Sequence, residues 1–217
     1  MNKLLNKELR LFAAPITYFF IAFSVMTLVP GYPILCGAFF VCLGIFRSFQ
    51  AGGETNDILY TVLLPIRKSN AVKARFIFVM FIELVSFAVM AALTALRMTV
   101  LGNVGPYVQN ALMSANPVFL AFTLLIYAMF NLVFVRGFFK TGYKTGKPFI
   151  VFIVIAFVLI GIAETLHHIP ELGFLNAISG EGMTANYVIL AVGALIYALL
   201  SHIAFKASCK SFETVDL

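Results

Sequence analysis

One group of ionisable residues has the spacing of a metal site. Glu164, His167, His168 and Glu171 stand at positions i, i+3, i+4 and i+7, which would place them on one face of a helix as carboxylate and imidazole ligands. Pro170 interrupts that face, because proline cannot donate the backbone hydrogen bond that a helix interior needs. Polar residues at the edge of an apolar segment are also usually just hydrated, so no metal site is predicted.

A second pair of ionisable residues lies inside long apolar segments. Glu83 is well inside one such segment, and Arg47 is near the end of another. An ionisable side chain in apolar surroundings is costly unless it is paired, and a nearby arginine would keep the carboxylate ionised. We therefore expect Arg47 and Glu83 to form an ion pair that joins two helices. The alternative is that Glu83 binds a proton or a substrate.

The composition of the chain is that of a membrane protein. Of the 217 residues, 62% are hydrophobic and 11% are charged, and the mean hydropathy is +1.01. A soluble domain of this size has no core large enough to bury so much apolar surface. The net charge of +6 requires no nucleic-acid partner, because basic residues beside apolar segments orient a protein in the membrane.

Six apolar segments are long enough to cross a bilayer, which takes about 20 helical residues. They cover residues 11–29, 33–50, 76–100, 117–135, 148–166 and 186–205. The sequence therefore predicts an all-α membrane protein whose residues 1–217 form a single transmembrane domain of six helices.

The distribution of charge predicts the orientation of these helices. If both termini are cytoplasmic, every lysine and arginine except Arg97 falls on the cytoplasmic side, as the positive-inside rule requires. Arg97 is near the outer end of the third segment, where its long side chain is expected to reach the outer headgroups. The predicted location is the cell (plasma) membrane, with multiple spans and both termini inside.

The polar loop at residues 54–75 has an amphipathic centre. Two acids and a group of apolar residues precede a proline that ends any helix, and Ser69 or Asn70 would cap the next helix. We predict a short helix at the cytoplasmic surface, joined to two spanning helices and able to transmit movement; the alternative is a helix that only lies among the headgroups. Its defining residues are Glu54, Asp57, Ile58, Leu59, Tyr60, Leu63, Leu64, Pro65 and Arg67.

Two further segments are predicted to lie against the membrane. Residues 1–10 mix leucines with charged side chains, which indicates an amphipathic helix on the surface. Residues 164–181 are unusually apolar for a loop. They are predicted to form short re-entrant helices on the outer side between the fifth and sixth spans, since such backbone is tolerated where protein buries it.

The order of these elements, together with two short motifs, resembles the exporter-type (type-2) permease subunits of ATP-binding-cassette (ABC) transporters. The motifs are Leu5-Asn6-Lys7-Glu8-Leu9 near the N terminus and Leu64-Pro65-Ile66-Arg67, followed by Ala71, Val72, Ala74 and Arg75, in the 54–75 loop. The resemblance implies that this loop holds the coupling helix that docks on the ATPase. Short permeases of this kind look most like those that export amphipathic or antimicrobial peptides.

The resemblance also implies partners. The sequence has no Gly-x-x-x-x-Gly-Lys-Ser/Thr phosphate loop and no long soluble segment, so no ATPase domain is predicted in this chain and the chain is not expected to be an enzyme. ATP and Mg²⁺ are expected in a separate ABC ATPase subunit. A second permease subunit, the same chain or a sister chain, would supply the other half of the translocation pathway. No cofactor or nucleic acid is expected to bind this chain.

Two other classes of function remain open. An ion-coupled secondary transporter would use Glu83, although the two halves of the chain show neither an internal repeat nor matched broken helices. A non-transporting membrane scaffold or immunity protein would also fit the pattern of spans. An intramembrane protease is disfavoured, because the sequence contains neither Gly-x-Ser-x-Gly nor His-Glu-x-x-His.

The predicted orientation can be tested by cysteine labelling in a cysteine-free background. Single cysteines at Tyr107 and Gly173 are expected to react with impermeant thiol reagents in intact cells, because both residues fall in outer loops. Cysteines at Asn70 and Thr145 are expected to react only after the membrane is opened. Labelling of position 70 from outside would refute the orientation.

Overall fold

The structure is a computed structural model that describes residues 2–141, 144–180 and 182–215, so Glu181 of the predicted outer segment lies outside it. The regular structure of the described residues is entirely helical, which confirms the all-α prediction. Five helices are long and apolar enough to cross a membrane, and there are six if the bent pair Lys3–Phe12 and Pro15–Leu28 counts as one span.

The N-terminal region consists of two helices at nearly a right angle. Helix α1 (Asn2–Lys7) continues as a π-helix over Glu8–Phe12, and α2 (Pro15–Phe20) continues as a 3-10 helix over Ile21–Leu28. The two axes meet at 85°. The backbone is extended at Ala14 (ψ 136°) because the ring of Pro15 disfavours helix at the residue before it. The apolar helix therefore begins at Pro15 rather than at residue 11, and the surface location of α1 stays a prediction.

The remaining helices follow in chain order. They are α3 (Cys36–Glu54), α4 (Asp57–Leu63), α5 (Lys68–Leu96, extended as a π-helix over Arg97–Leu101), the short α6 (Gly105–Val108), α7 (Pro117–Met129, extended as a π-helix over Phe130–Val135), α8 (Arg136–Thr141), α9 (Gly146–His167), a 3-10 helix at Pro170–Asn176, and α10 (Met183–Glu213). Helices α7 and α8 form one continuous rod over Pro117–Thr141.

Several helices continue beyond the predicted apolar segments at the end of the bundle that carries most of the lysines and arginines. Helix α3 runs on to Glu54, α5 begins as early as Lys68, and α10 continues to Glu213. We call this end of the bundle, where α3, α8 and α10 end and α5 and α9 begin, the basic end. The predicted caps of α5 at Ser69 and Asn70 are wrong, because the helix has already begun at Lys68.

Close contacts between backbones hold the long helices together. Helix α10 packs along α7, where a Cβ at Gly193 would lie 3.1 Å from both Cα and Cβ of Ala121. Helix α2 packs on α3 at Gly44, whose carbonyl accepts a hydrogen bond of 2.6 Å from Thr17 Oγ1. Phenylalanine rings fill the space between α3, α7 and α9, and the rings of Phe46 and Phe149 are stacked 3.6 Å apart.

Arg97 is buried within the protein, which corrects the expectation that it reaches the headgroups. Its side chain is 3% exposed, and Nη1 donates a hydrogen bond of 2.8 Å to the carbonyl of Thr27. The guanidinium carbon lies 4.8 Å from the centre of the Tyr107 ring. The carbonyls at the end of a helix lack partners within the helix, so the last turn of the Ile21–Leu28 helix provides an acceptor that the sequence did not reveal.

The contact at Gly44 predicts a strong effect of a small substitution. A Cβ there would lie 2.5 Å from Cβ of Phe20, so Gly44→Ala is expected to separate α2 from α3 and to destabilise the protein by about 1–3 kcal/mol. Gly53→Ala in the last turn of α3 meets no atom within 4 Å and is the matched control. The thermal midpoints of both variants can be measured by unfolding in detergent. An unchanged midpoint for Gly44→Ala would contradict this account of the packing.

Candidate functional site

Helix α4 lies beneath the basic end as a separate short element between α3 and α5. Asn56 adopts the left-handed conformation (φ 52°) and turns the chain after α3. Leu64 is extended (ψ 152°), as expected for the residue before a proline. The chain therefore leaves α4 at Pro65 and enters α5 at Lys68.

One side of α4 packs on the bundle and the other side is exposed. Ile58 and Thr61 are buried, and Thr61 Oγ1 donates to the carbonyl of Asp57 (2.7 Å). The opposite side presents the exposed apolar face of α4, which consists of Leu59 (38% exposed), Tyr60 (65%), Leu63 (74%) and Leu64 (49%). The predicted apolar residues thus divide into Ile58 facing inward and these four facing outward. Glu54, Pro65 and Arg67 are exposed nearby.

A network of four charged residues attaches α4 to α1 and α5. Arg75 Nη2 contacts Asp57 Oδ2 at 2.5 Å, and Arg75 Nε contacts Glu8 Oε2. Lys7 Nζ lies 2.6 Å from Asp57 Oδ1 and 3.3 Å from Glu8 Oε1, and it also donates to Thr61 Oγ1 (2.5 Å). We call Lys7, Glu8, Asp57 and Arg75 the ionic network. Its two positive and two negative charges balance.

The ionic network is largely removed from water. Glu8 is 1% exposed and Arg75 is 2% exposed. The guanidinium carbon of Arg75 lies 3.3 Å from the centre of the Phe12 ring, a cation–π contact that gains strength where water is excluded. Burial raises the pKa of Asp57, but the positive charges of Arg75 and Lys7 outweigh burial, so the pKa is lowered from its usual value. Asp57 is therefore a carboxylate at neutral pH.

A second polar cluster lies in the middle of the bundle around Glu83. Glu83 is fully buried, and its Oε2 accepts hydrogen bonds from Asn131 Nδ2 (2.9 Å) and from the hydroxyl of Tyr197 (2.8 Å). Asn131 Nδ2 also donates to Ser201 Oγ (3.1 Å). These residues belong to α5, to the π-helix after α7, and to α10. The cluster therefore joins three helices through neutral hydrogen-bond donors.

The predicted ion pair between Arg47 and Glu83 is wrong. Arg47 is exposed on α3, and its Nη1 donates to Gln50 of the same helix (2.8 Å). Within the part of the chain that the structure describes, no cation pairs with Glu83. The sequence placed both residues in apolar segments, but it did not show that Glu83 is buried while Arg47 is exposed.

The histidines and acids of the outer segment are not brought together. Helix α9 ends at His167, and a separate 3-10 helix begins at Pro170, so the face that Glu164 and Glu171 would share is broken. Glu164 Oε2 accepts from the backbone N–H of Met113 (2.9 Å). His167 Nδ1 lies 2.6 Å from Asn176 Oδ1. No group of three metal-binding side chains occurs among the described residues. The predicted re-entry of this segment into the membrane stays a prediction.

Sequence reasoning missed two sets of partners. In the sequence, Lys7, Glu8 and Arg75 stand out only as parts of motifs, and the contact between Glu8 and Arg75 spans 67 residues of chain. Asn131 and Tyr197 were not singled out at all. Polar residues within apolar segments commonly bond across helices in membrane proteins, and that signal was present at Asn131.

The ionic network predicts that Arg75 is essential for stability. Arg75→Gln would leave Lys7 as the single cation beside the two carboxylates Glu8 and Asp57, and breaking a buried ion pair in this way costs about 3–5 kcal/mol. Arg47→Gln is the control, because Arg47 is exposed and bonds only to its neighbour Gln50. A large fall in the thermal midpoint in detergent is expected for Arg75→Gln alone; equal midpoints for the two variants would refute the structural role of the network.

Comparison with known families is in accord with this architecture. The family described as ABC-2 family transporter protein matches residues 3–213, nearly the whole chain. No curated protein and no solved structure matches the chain. Permeases of this family are membrane components of ABC transporters and normally work with an ATPase subunit. The chain, with its five or six candidate spans, therefore belongs to the ABC-2 family of transporter permeases.

Proposed function

We propose that this permease is the membrane subunit of an ATP-driven exporter and that a separate ATPase docks on the exposed apolar face of α4. The observation that carries the proposal is that this face is joined to a long membrane helix by buried charges. Tyr60 and Leu63 are the most exposed of its residues, while Asp57 in the same helix contacts Arg75 of α5. A force applied to α4 would therefore reach α5.

The chemistry of the face suits a protein partner. Leu59, Tyr60 and Leu63 lie at positions i, i+1 and i+4 of α4, so they share one side of a short helix, and the extended residue Leu64 directly follows them. Interfaces of this kind rely on a few aromatic and aliphatic anchors that fill pockets in the partner. Glu54 and Arg67 are exposed beside the face, where charges chiefly affect the association rate and its dependence on salt.

Helix α5 offers a route from this surface to the middle of the bundle. Arg75 and Glu83 are eight residues apart on α5, which is about 12 Å along the axis. Glu83 bonds to Asn131 and Tyr197, so a displacement of α5 would alter its hydrogen bonds to α10 and to the π-helix after α7. In this proposal those bonds change as the pathway opens, while the chain itself performs no covalent chemistry.

The remaining features of the proposal come from the charge pattern and the family resemblance. The positive-inside pattern supports cytoplasmic termini and a cytoplasmic α4. The five or six candidate spans support a pathway shared with a second permease subunit, either this chain or a sister chain. The resemblance to short permeases supports amphipathic or antimicrobial peptides as the exported substrates. ATP and Mg²⁺ would be bound by the partner ATPase.

Docking on α4 is tested by the double variant Leu59→Ser/Leu63→Ser. Both side chains are exposed, so the permease should fold and insert normally. Loss of two apolar anchors should weaken ATPase binding by roughly 700-fold, since such anchors are worth about 2 kcal/mol each. Copurification with the ATPase and ATP-dependent transport are the measurements.

The matched control removes two exposed valines at the opposite end of the bundle. Val104 and Val108 are 43% and 65% exposed next to and within α6, and the variant Val104→Ser/Val108→Ser should leave both ATPase binding and transport intact. Normal copurification and transport by the Leu59/Leu63 variant, with an unchanged thermal midpoint, would disprove the coupling role of α4.

A further inference from the structure

A groove lies between α5 and α10, and both of its walls come from long helices. Its volume is about 300 Å³, at the lower end of the range for ligand pockets. Residues Lys73, Ile77 and Met80 of α5 line one wall. They recur at helical spacing, so they form a single stripe along the helix.

The opposite wall repeats this arrangement on α10. Ala198, Ser201 and His202 line it, again at the spacing of one helical face. The adjacent side chains Leu199 (59%) and Ile203 (43%) are exposed and apolar, which is the character of a surface that faces hydrocarbon. The groove therefore opens sideways, toward the bilayer.

The polarity of the groove changes along its length. Lys73 and His202 are its two basic side chains, and both lie toward the basic end, where α5 begins and α10 ends. The surfaces beyond them are formed mainly by Ile77, Met80 and Ala198. None of the described residues that line the groove is acidic. Glu83 is ten residues from Lys73, about 15 Å along the helix, and it is fully buried.

We propose that this groove binds one anionic phospholipid of the leaflet at the basic end, with its phosphate beside Lys73 and His202 and an acyl chain along Ile77, Met80 and Ala198. Charge complementarity selects the headgroup, and the apolar walls accept the chain. An attraction of about 1 kcal/mol between Lys73 and an anionic membrane surface corresponds to a preference of about fivefold. The inference does not depend on where an ATPase docks.

The site has a direct connection to the buried polar cluster. Ser201 lines the groove and is 2% exposed. Its Oγ accepts a hydrogen bond from Asn131 Nδ2, which also donates to Glu83 Oε2. A lipid chain in the groove would therefore lie against a side chain of that cluster. Occupancy of the groove is expected to stabilise the contact between α5 and α10.

Fluorescence quenching tests the proposal directly, because the chain contains no tryptophan. In the variant Met80→Trp the single tryptophan reports on the apolar wall. We expect brominated phosphatidylglycerol to quench it at about one-third to one-fifth of the mole fraction that brominated phosphatidylcholine requires. Adding Lys73→Gln and His202→Gln should abolish this preference. The matched control Lys147→Gln removes an exposed lysine at the start of α9, outside the groove, and should preserve it.

A second measurement uses the permease without the Met80→Trp substitution. Phosphatidylglycerol added to the detergent-solubilised permease should raise its thermal midpoint more than phosphatidylcholine does. Ala198→Phe, which fills the groove, should remove that difference, whereas Ala194→Phe one turn away on α10 should keep it. Both alanines are exposed, so either variant should fold.

Three results would overturn the proposal. Equal quenching by the two lipids would show that the groove holds only ordinary surrounding lipid. Loss of the phosphatidylglycerol preference in the presence of inorganic phosphate would assign the basic pair to free anions. Absence of quenching by either lipid would show that another protein segment, such as a second copy of the chain, fills the groove.

Discussion

A guanidinium group in apolar surroundings costs several kcal/mol unless carboxylates neutralise it, and Arg75 lies in such surroundings at the basic end. Glu8 and Asp57 supply the two negative charges, and the rings of Phe12 and Phe49 lie within 3.3 and 5.5 Å of its guanidinium carbon. These groups come from four separate parts of the chain. Neutralising one side chain therefore requires the N-terminal helix, α3 and α4 to assemble around the start of α5.

Helix α5 meets the same constraint at two further positions, and it does so with different partners each time. Glu83 relies on the neutral donors Asn131 and Tyr197, whereas Arg97 relies on the carbonyl of Thr27 and the ring of Tyr107. Each of these buried groups holds a different set of neighbours against α5. Because Arg75, Glu83 and Arg97 each have specific partners, a movement of α5 would change contacts elsewhere in the bundle. This property is consistent with the proposed transmission of movement from α4 to the centre of the bundle.

The basic end carries two surface features that lie against the same helix, α5. They are the exposed apolar face of α4 and the groove between α5 and α10. The exposed apolar face of α4 is the surface proposed to bind the ATPase, and the ionic network behind it links α4 to α5. The groove between α5 and α10 adds a lateral surface on the same helix. Docking on α4 would therefore act on α5 at the basic end, and lipid binding in the groove would act on the side of α5 that faces α10.

The class of the protein followed from the sequence alone, because hydropathy and segment length are local properties. The long helices lie where apolar segments were predicted, although α5 begins at Lys68 rather than at residue 76 and α10 ends at Glu213 rather than at residue 205. Short motifs were likewise enough to suggest the family and to mark residues 54–75. Only the tertiary structure decided which side of each helix a residue faces. It separated Arg47 from Glu83, turned Ile58 inward and Leu63 outward, and buried Arg97. It also joined Lys7 and Glu8 to Asp57 and Arg75 across up to 67 residues of chain. A buried charge must contact a partner that neutralises it or bonds to it. Which residue becomes that partner depends on how the helices pack, and the spacing of residues along the chain does not show this.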